Sequence, residues 1–139
     1  MRNRGRHEID RLVAAAAQAR EQAYAPYSMF AVGAAALAGG RIFAGVNVEN
    51  ASYGMTMCAE RNAAFAAVTA GERRIDCLAV VTDEDRPTPP CGACRQVLWE
   101  FGRSSLVVAE STKDGARSMW ALEDLLPAAF GPDDLPDAS

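Results

Sequence analysis

A chain of 139 residues, half of them hydrophobic and with a net charge of -4, suits one domain that buries roughly two thirds of its surface. No stretch approaches the roughly 18 apolar residues of a membrane span, and the start, Met1-Arg2-Asn3-Arg4-Gly5-Arg6-His7, lacks the apolar segment of a secretory signal, so a cytoplasmic protein is expected. The acidic balance argues against a surface that tracks nucleic-acid phosphates, which needs clustered Lys and Arg; Arg2, Arg4 and Arg6 read as a solvated tail, with contact to an anion the alternative.

In chain order, Glu8 to Tyr24 is alanine-rich and sets Ile9, Leu12, Val13, Ala16 and Ala19 at helical spacing. This predicts an amphipathic helix stopped by Pro26. Phe30 to Leu37 reads as a strand, Ala38-Gly39-Gly40-Arg41 as a turn and Ile42 to Val48 as a second strand, together an antiparallel hairpin. Gly33 inside the first strand marks a bulge or a close backbone approach, or is merely tolerated. Glu49 to Thr56 is a polar loop, followed by a helix from about Met57 to Ala70 that Gly71 ends. Ile75 to Thr82 is a third strand. Asp83 to Pro90, with three prolines and four charged residues, reads as an irregular connection too polar for the core. A helix over Gly92 to Phe101, a strand over Leu106 to Ala109, a turn at Lys113-Asp114-Gly115, a strand around Arg117 to Trp120 and a helical turn at Leu122 to Leu126 complete the chain. The alternation implies an α/β fold, a three-layer α-β-α sandwich around a mixed five-stranded sheet. One domain over residues 1–139 is expected, with 1–7 and 132–139 as flexible tails.

The chemistry lies in Cys58-Ala59-Glu60-Arg61 and in Pro90-Cys91-Gly92-Ala93-Cys94-Arg95. The chain has four cysteines and one histidine. His7 sits in the N-terminal arm, and Cys77 lies in the apolar run Ile75 to Val81, where a thiol behaves as a small hydrophobe. Cys58, Cys91 and Cys94 remain as three soft ligands, with Glu60 beside them as a carboxylate that need not bind metal. Hydrolysis by zinc needs that inventory: three protein ligands, one position left for water, and a base next to it. A Cys-x-x-Cys pair in a cytosolic chain also favours metal over a disulfide.

Spacing gives the site an address. Cys91 and Cys94 are three apart and share one face of a helix. Cys58 and Glu60 are two apart and diverge in mid-helix, so they converge only at a helix entrance. Both segments are therefore expected at helix N-termini that face each other, where the macrodipoles help keep thiolates ionised. Three thiolates around one Zn2+ leave a single negative charge, which Arg61 and Arg95 are placed to offset by donating to sulfur. For Arg61 that reading is preferred to an exposed helix residue; for Arg95 both stand. The plain alternative for Glu60 is a first-turn carboxylate favoured by the helix dipole.

Three further segments join these two: Tyr27-Ser28-x-Phe30-x-Val32-Gly33-Ala34-Ala35, Asn47-Val48-Glu49-Asn50-Ala51 and Leu125-Leu126-Pro127-x-x-Phe130-Gly131. Together they resemble cytidine deaminases of the small homotetrameric, zinc-dependent type, from about Tyr24 to Leu135. The resemblance implies one Zn2+ per chain, hydrolysis of cytidine and 2'-deoxycytidine to uridine and 2'-deoxyuridine with loss of ammonia, a task in pyrimidine salvage, and a homotetramer with shared active sites. Glu60 is then both base and acid: it takes a proton from the metal's water and passes one to pyrimidine N3, and a later proton transfer to the exocyclic amine lets ammonia leave. Asn47 and Glu49 are similar to a pair that grips the ribose hydroxyls. The amide of Ala59 and the carbonyl of Pro89 resemble groups that read the pyrimidine edge. Phe30 and Phe130 are similar to aromatics lining the nucleoside pocket, Phe130 from a neighbouring chain. Pro89 departs from the serine or threonine of many relatives, but the contact uses only a carbonyl, which proline keeps. Read without the resemblance, Phe30 is strand core, Phe130 a tail anchor, and Asn47 and Glu49 turn residues.

Two other readings share the zinc segments. A deaminase of another cytosine compound, such as an antibiotic of the blasticidin type, is opposed by Asn47-x-Glu49-Asn50, which suits a free ribose. A non-catalytic binding module braced by zinc needs a fourth protein ligand, for which His7 and Cys77 are the candidates. A polynucleotide substrate lacks a basic groove or an aromatic platform in this sequence.

Overall fold

The structure, a computed structural model, describes residues 5–136. The arginines at positions 2 and 4 and residues 137–139, all expected in tails, lie outside the described residues. Helix α1, Arg6–Arg20, buries Ile9, Leu12, Val13 and Ala16, the stripe that the periodicity predicts. It starts at Arg6, which takes Arg6 and His7 out of the expected tail, and it ends well before Pro26. Tertiary pairing ends it early. Tyr24 N donates to Asn47 O at 3.0 Å and Glu49 N donates to Tyr24 O at 2.8 Å, so this backbone is committed to a distant strand end and not to another helical turn.

Strands β1, Gly33–Ala38, and β2, Arg41–Val46, form the expected hairpin. Its two-residue turn has Gly39 at φ 58° and Gly40 at φ 76°, the left-handed pair that tight hairpins require. After helix α2, Ala59–Thr69, come strand β3, Cys77–Thr82, and helix α3, Gly92–Phe101. Strands β4, Leu106–Ser111, and β5, Arg117–Ala121, lead into the short helix α4, Leu122–Leu125. The five strands make one mixed sheet in the order β2-β1-β3-β4-β5, parallel only between β3 and β4. The sandwich expected from the alternation is thus present.

Every residue of β1 and β3 is buried, because helices cover both faces of the sheet. Ala35, Leu37, Cys77, Ala79, Val81 and Val108 pack with α1 on one side. Ala34, Ala36, Leu78, Val80, Val107 and Ala109 pack on the other with Ala59, Ala63, Ala64 and Ala67 of α2 and Leu98 of α3. Alternation along each strand divides the core in two. Small residues bring the layers close. A Cβ added at Gly33 would lie 2.0 Å from Ala16 O on α1, and one at Gly45 would lie 2.4 Å from Ala63 N and 2.7 Å from Ala59 O on α2. Gly33 therefore marks a close backbone approach, one of the three readings its position allowed.

Two further expectations change. Phe30 to Val32 is not ladder-paired strand: the side chain of Asn47 stands in for a partner, with Oδ1 accepting from Val32 N at 2.9 Å and Nδ2 donating to Phe30 O at 2.7 Å. The described part of the C-terminal segment carries a turn and side-chain bonds. Pro132–Asp134 forms a 3-10 turn, Asp134 Oδ2 accepts from Gly131 N at 2.8 Å, and Asp133 pairs with Arg103 at 2.9 Å.

Gly33→Ala is expected to cost about 2–3 kcal/mol, the scale of overpacking in a close-packed core, because the obstacle is helix backbone that cannot rotate aside. Urea unfolding measures it; an unchanged midpoint would mean that α1 can withdraw without cost.

Candidate metal centre and adjoining pocket

Both sulfur-bearing segments sit at helix entrances, as the spacing argument requires. Cys58 immediately precedes α2 with an extended backbone (φ -75°, ψ 151°), and Cys91 does the same for α3 (φ -66°, ψ 169°). Cys94 follows in the first turn of α3 and is fully buried. Cys58 and Cys91 sulfurs are 3.9 Å apart, Cys91 and Cys94 sulfurs 3.4 Å, and all three lie within 4.8 Å of one another. Those separations are far beyond a disulfide bond. Tetrahedral zinc with Zn–S bonds of about 2.3 Å puts its sulfurs about 3.8 Å apart, so the donor set fits one zinc ion.

Among the described residues no carboxylate or imidazole joins this cluster. Cys77 is buried in the core between the sheet and α1, and His7 is on α1, across the sheet from α2 and α3. Neither can close a fourth corner. Arg61 Nη2 donates to Cys58 Sγ at 3.1 Å, as expected, while its Nε is buried with no hydrogen-bond partner. Burying that N–H costs solvation, and the anionic sulfur beside the guanidinium is what offsets it. The neighbouring Cys94 thiol, and after it Arg61, bring the Cys58 thiol down to about 5, while Cys94 is pushed up by its bond to Cys58 and by burial. Glu60 is 7% exposed, and burial raises its carboxyl to about 7, helped by the charge on Cys58.

A cavity of about 200 Å³ opens beside the sulfurs. Phe30, Val32, Asn47, Met57, Ala59, Glu60 and Pro89 line it together with Cys58 and Cys91. A pocket of about 350 Å³ shares Thr56 with it and is bounded by Tyr27, Ser28, Glu49 and Tyr53.

The model of the cytidine and deoxycytidylate deaminase zinc-binding region matches residues 6–110, which include all three cysteines and Glu60. The chain belongs to this deaminase family. It is 49% identical over 129 residues to a cytidine deaminase of Sporosarcina psychrophila, covering 92% of this chain and 95% of that one. The crystal structure of a Burkholderia pseudomallei cytidine deaminase superposes with a TM-score of 0.84 at 47% identity, covering 91% of this chain and 100% of that one. A Mycobacterium tuberculosis cytidine deaminase gives 0.75 at 45% identity, covering 89% and 98%.

Within this deaminase fold the remaining expected residues divide. Ala59 is the first residue of α2, where an amide has no partner in its own helix. Pro89 lies at the cavity wall, and Pro90 behind it is fully buried, so the connection judged too polar for the core does enter it. Glu49 takes amides from Tyr27 at 3.0 Å and Ser28 at 3.1 Å on Oε1 and the Ser28 hydroxyl on Oε2, and the hydroxyl above all holds its carboxyl below the usual range. Asn47 braces Phe30 and Val32 while lining the cavity. Arg95 does not reach sulfur: Nε donates to Pro90 O and Nη1 to Leu125 O, each at 2.8 Å, because α3 turns its side chain toward α4. Phe130 is 59% exposed and does not line this chain's cavity; its carbonyl accepts from Gln96 Nε2 at 2.9 Å. Sequence reasoning missed Thr56, Thr82 and Thr88 in the cavity wall, although Thr88 sits two residues before Pro90, and missed Asn62, whose Nδ2 holds Val46 O at 2.7 Å. It also missed Met29, a left-handed residue at φ 61° immediately before Phe30.

In metal-stripped protein, Arg61→Gln is expected to raise the pH at which the Cys58 thiolate forms, from about 5 toward the ordinary thiol range. Thiolate absorbance and mapped alkylation against pH measure this. A titration that stays put would assign the whole depression to the neighbouring cysteines.

Proposed function

We propose that this chain hydrolyses the exocyclic amine of free cytidine and 2'-deoxycytidine, giving uridine, 2'-deoxyuridine and ammonia, as a step of pyrimidine salvage in the cytoplasm. The observation that carries this reading is a buried carboxyl, Glu60, beside three sulfurs whose fourth corner no described residue closes. Cys58, Cys91 and Cys94 would hold the zinc ion, which when bound supplies Lewis acidity and an acidified water. Glu60 moves the protons. A carboxyl raised by burial to about 7 exchanges protons near neutral pH: one taken from the attacking water would go to ring N3, and a second, taken from the hydroxyl added at C4, to the departing amine.

Size and polarity support a nucleoside. The 200 Å³ cavity suits one pyrimidine ring between Phe30 and the Ala59 and Pro89 backbone, and the sugar then extends past Thr56 toward Glu49. Three bonds from Tyr27 and Ser28 fix the Glu49 carboxylate but leave it lone-pair capacity for a ribose hydroxyl. Asn47 has its second amide hydrogen for the same end of the substrate. A homotetramer with shared sites is supported by large apolar side chains left exposed in this chain, Phe130 at 59%, Tyr53 at 73%, Met55 at 67% and Met29 at 78%. In that assembly Phe130 lines a neighbour's nucleoside pocket. The zinc-braced binding module loses support because neither His7 nor Cys77 comes near the sulfurs. No described helix is long and apolar enough to cross a membrane.

An ultraviolet assay offering cytidine, deoxycytidine, CMP and blasticidin S in parallel, with a chelated control, tests the substrate. Turnover of the two nucleosides, lost on chelation, is expected; turnover of CMP but not cytidine would overturn the reading. Glu60→Gln should keep metal and fold yet slow turnover by about two to four orders of magnitude, the range of general acid–base catalysis. Metal analysis and circular dichroism of the variant separate lost chemistry from lost structure, and a variant with near-normal turnover removes Glu60 from its role.

A further inference from the structure

We propose that Thr82 and Thr88 act as one positioning pair that aims the carbonyl of Pro89 at the C4 substituent of the pyrimidine, an inference that rests on the reading above that the cavity takes the base of cytidine. Loop composition creates the need. The segment 83–90 contains Pro87, Pro89 and Pro90, and none of them has an N–H with which the backbone could tie itself down as it approaches the site. Side chains hold it instead. Pro90 O is taken by Arg95 Nε at 2.8 Å, which secures the carbonyl after Pro89 but not the one that Pro89 itself presents.

The two hydroxyls secure the other side. Thr82 is the last residue of β3 and 1% exposed, so its position is set by the sheet. Its Oγ1 lies 3.3 Å from Thr88 Oγ1 across the neck of the loop, and accepts from Glu84 N at 3.3 Å. Thr88 directly precedes Pro89. The bond therefore joins the rigid sheet to the residue whose neighbour carries the carbonyl. Its place in the wall points the same way. Both threonines line a mostly apolar cavity to which Asn47, Thr56 and Glu60 also bring polar groups. Valine would fill either place without a hydroxyl to desolvate; the two hydroxyls offset that cost through each other, through Glu84 N for Thr82, and through Arg86 O, to which Thr88 Oγ1 donates at 3.4 Å.

Aiming that carbonyl has a chemical consequence. A carbonyl oxygen accepts from the amine of cytidine but meets the C4 oxygen of uridine with two acceptors face to face. The pair thus contributes to telling substrate from product, and it should do so as one link.

The test uses Thr82→Val, Thr88→Val, the double variant and Thr82→Ser in the metal-loaded protein, with KM for cytidine and the inhibition constant of uridine measured for each. The expected result is that the ratio of uridine inhibition constant to cytidine KM falls about three- to tenfold in either valine variant, the scale of one hydrogen bond. The double variant should lose no more than one single, because both break the same link, and Thr82→Ser should keep the parental ratio. A ratio unchanged in the single variants, or losses that multiply in the double, overturns the proposal. So does a fall in melting temperature or kcat with the ratio intact, which would make the pair a matter of stability alone. If Thr82→Val does not fold, Thr88→Val at its half-buried loop position carries the test. A parent protein that fails to turn over cytidine overturns the functional reading and this inference with it, whereas a working parent whose variants keep the ratio overturns only the pair.

Discussion

Three sulfurs can share one cation only if α2 and α3 begin at the same end of the sheet, on the same face, and close together. Strand direction supplies the first condition. β2 and β3 are both antiparallel to β1, so they run the same way and their carboxyl ends emerge at one edge. The helices that follow them start there, in the crevice where α/β sheets commonly place their chemistry. The second and third conditions come from packing. Ala59, Ala63, Ala64 and Ala67 of α2 and Leu98 of α3 share one core with the sheet, and Gly45 lets β2 approach the backbone of α2 next to Ala59. A bulkier residue in these places would push the Cys58 end of the site away from the Cys91 end.

Electrostatics then works on a frame already fixed. Sulfurs at two helix N-termini sit where the backbone favours negative charge, and Arg61 adds a full positive charge at 3.1 Å from Cys58. Glu60 is one residue from Ala59 and two from Cys58, yet its environment is the opposite. It lies buried among apolar groups near an anionic sulfur, and its carboxyl rises to about 7 while the Cys58 thiol falls to about 5. Two acidic groups on one helical turn are pushed in opposite directions, the Cys58 thiol toward its charged form and the Glu60 carboxyl toward neutrality.

The cavity beside the sulfurs and the pocket adjoining it are walled by loops that the sheet does not hold, so side chains hold them. Asn47 replaces a strand partner for Phe30 to Val32, Glu49 gathers the turn at Tyr27 and Ser28, and Arg95 and Gln96 of α3 fasten the carbonyls of Leu125 and Phe130. Residues that resemble substrate contacts are therefore also the fasteners of the walls. Removing one is expected to loosen the pocket as well as delete a contact, a point any mutational reading of Asn47 or Glu49 must separate.

The sequence by itself determined what lies within a turn or two along the chain: the stripe of α1, the hairpin with its glycine pair, the burial of β3, and the seating of Cys58, Cys91, Cys94 and Glu60 at helix entrances. Those features follow from side-chain period, proline and glycine chemistry and the geometry of one helical turn, which are local. Tertiary structure alone decided where long side chains go and which distant backbones meet. Arg95 was placed next to a metal ligand by sequence, but α4 supplies carbonyls that its guanidinium reaches instead of sulfur. Tyr24 follows an alanine-rich run that predicts helix, yet pairing with Asn47 and Glu49 ends α1 at Arg20. Thr82 and Thr88 meet only because a proline-rich loop folds back on the end of β3. Such contacts depend on register and layer spacing set by the whole core, and no spacing in the chain encodes them.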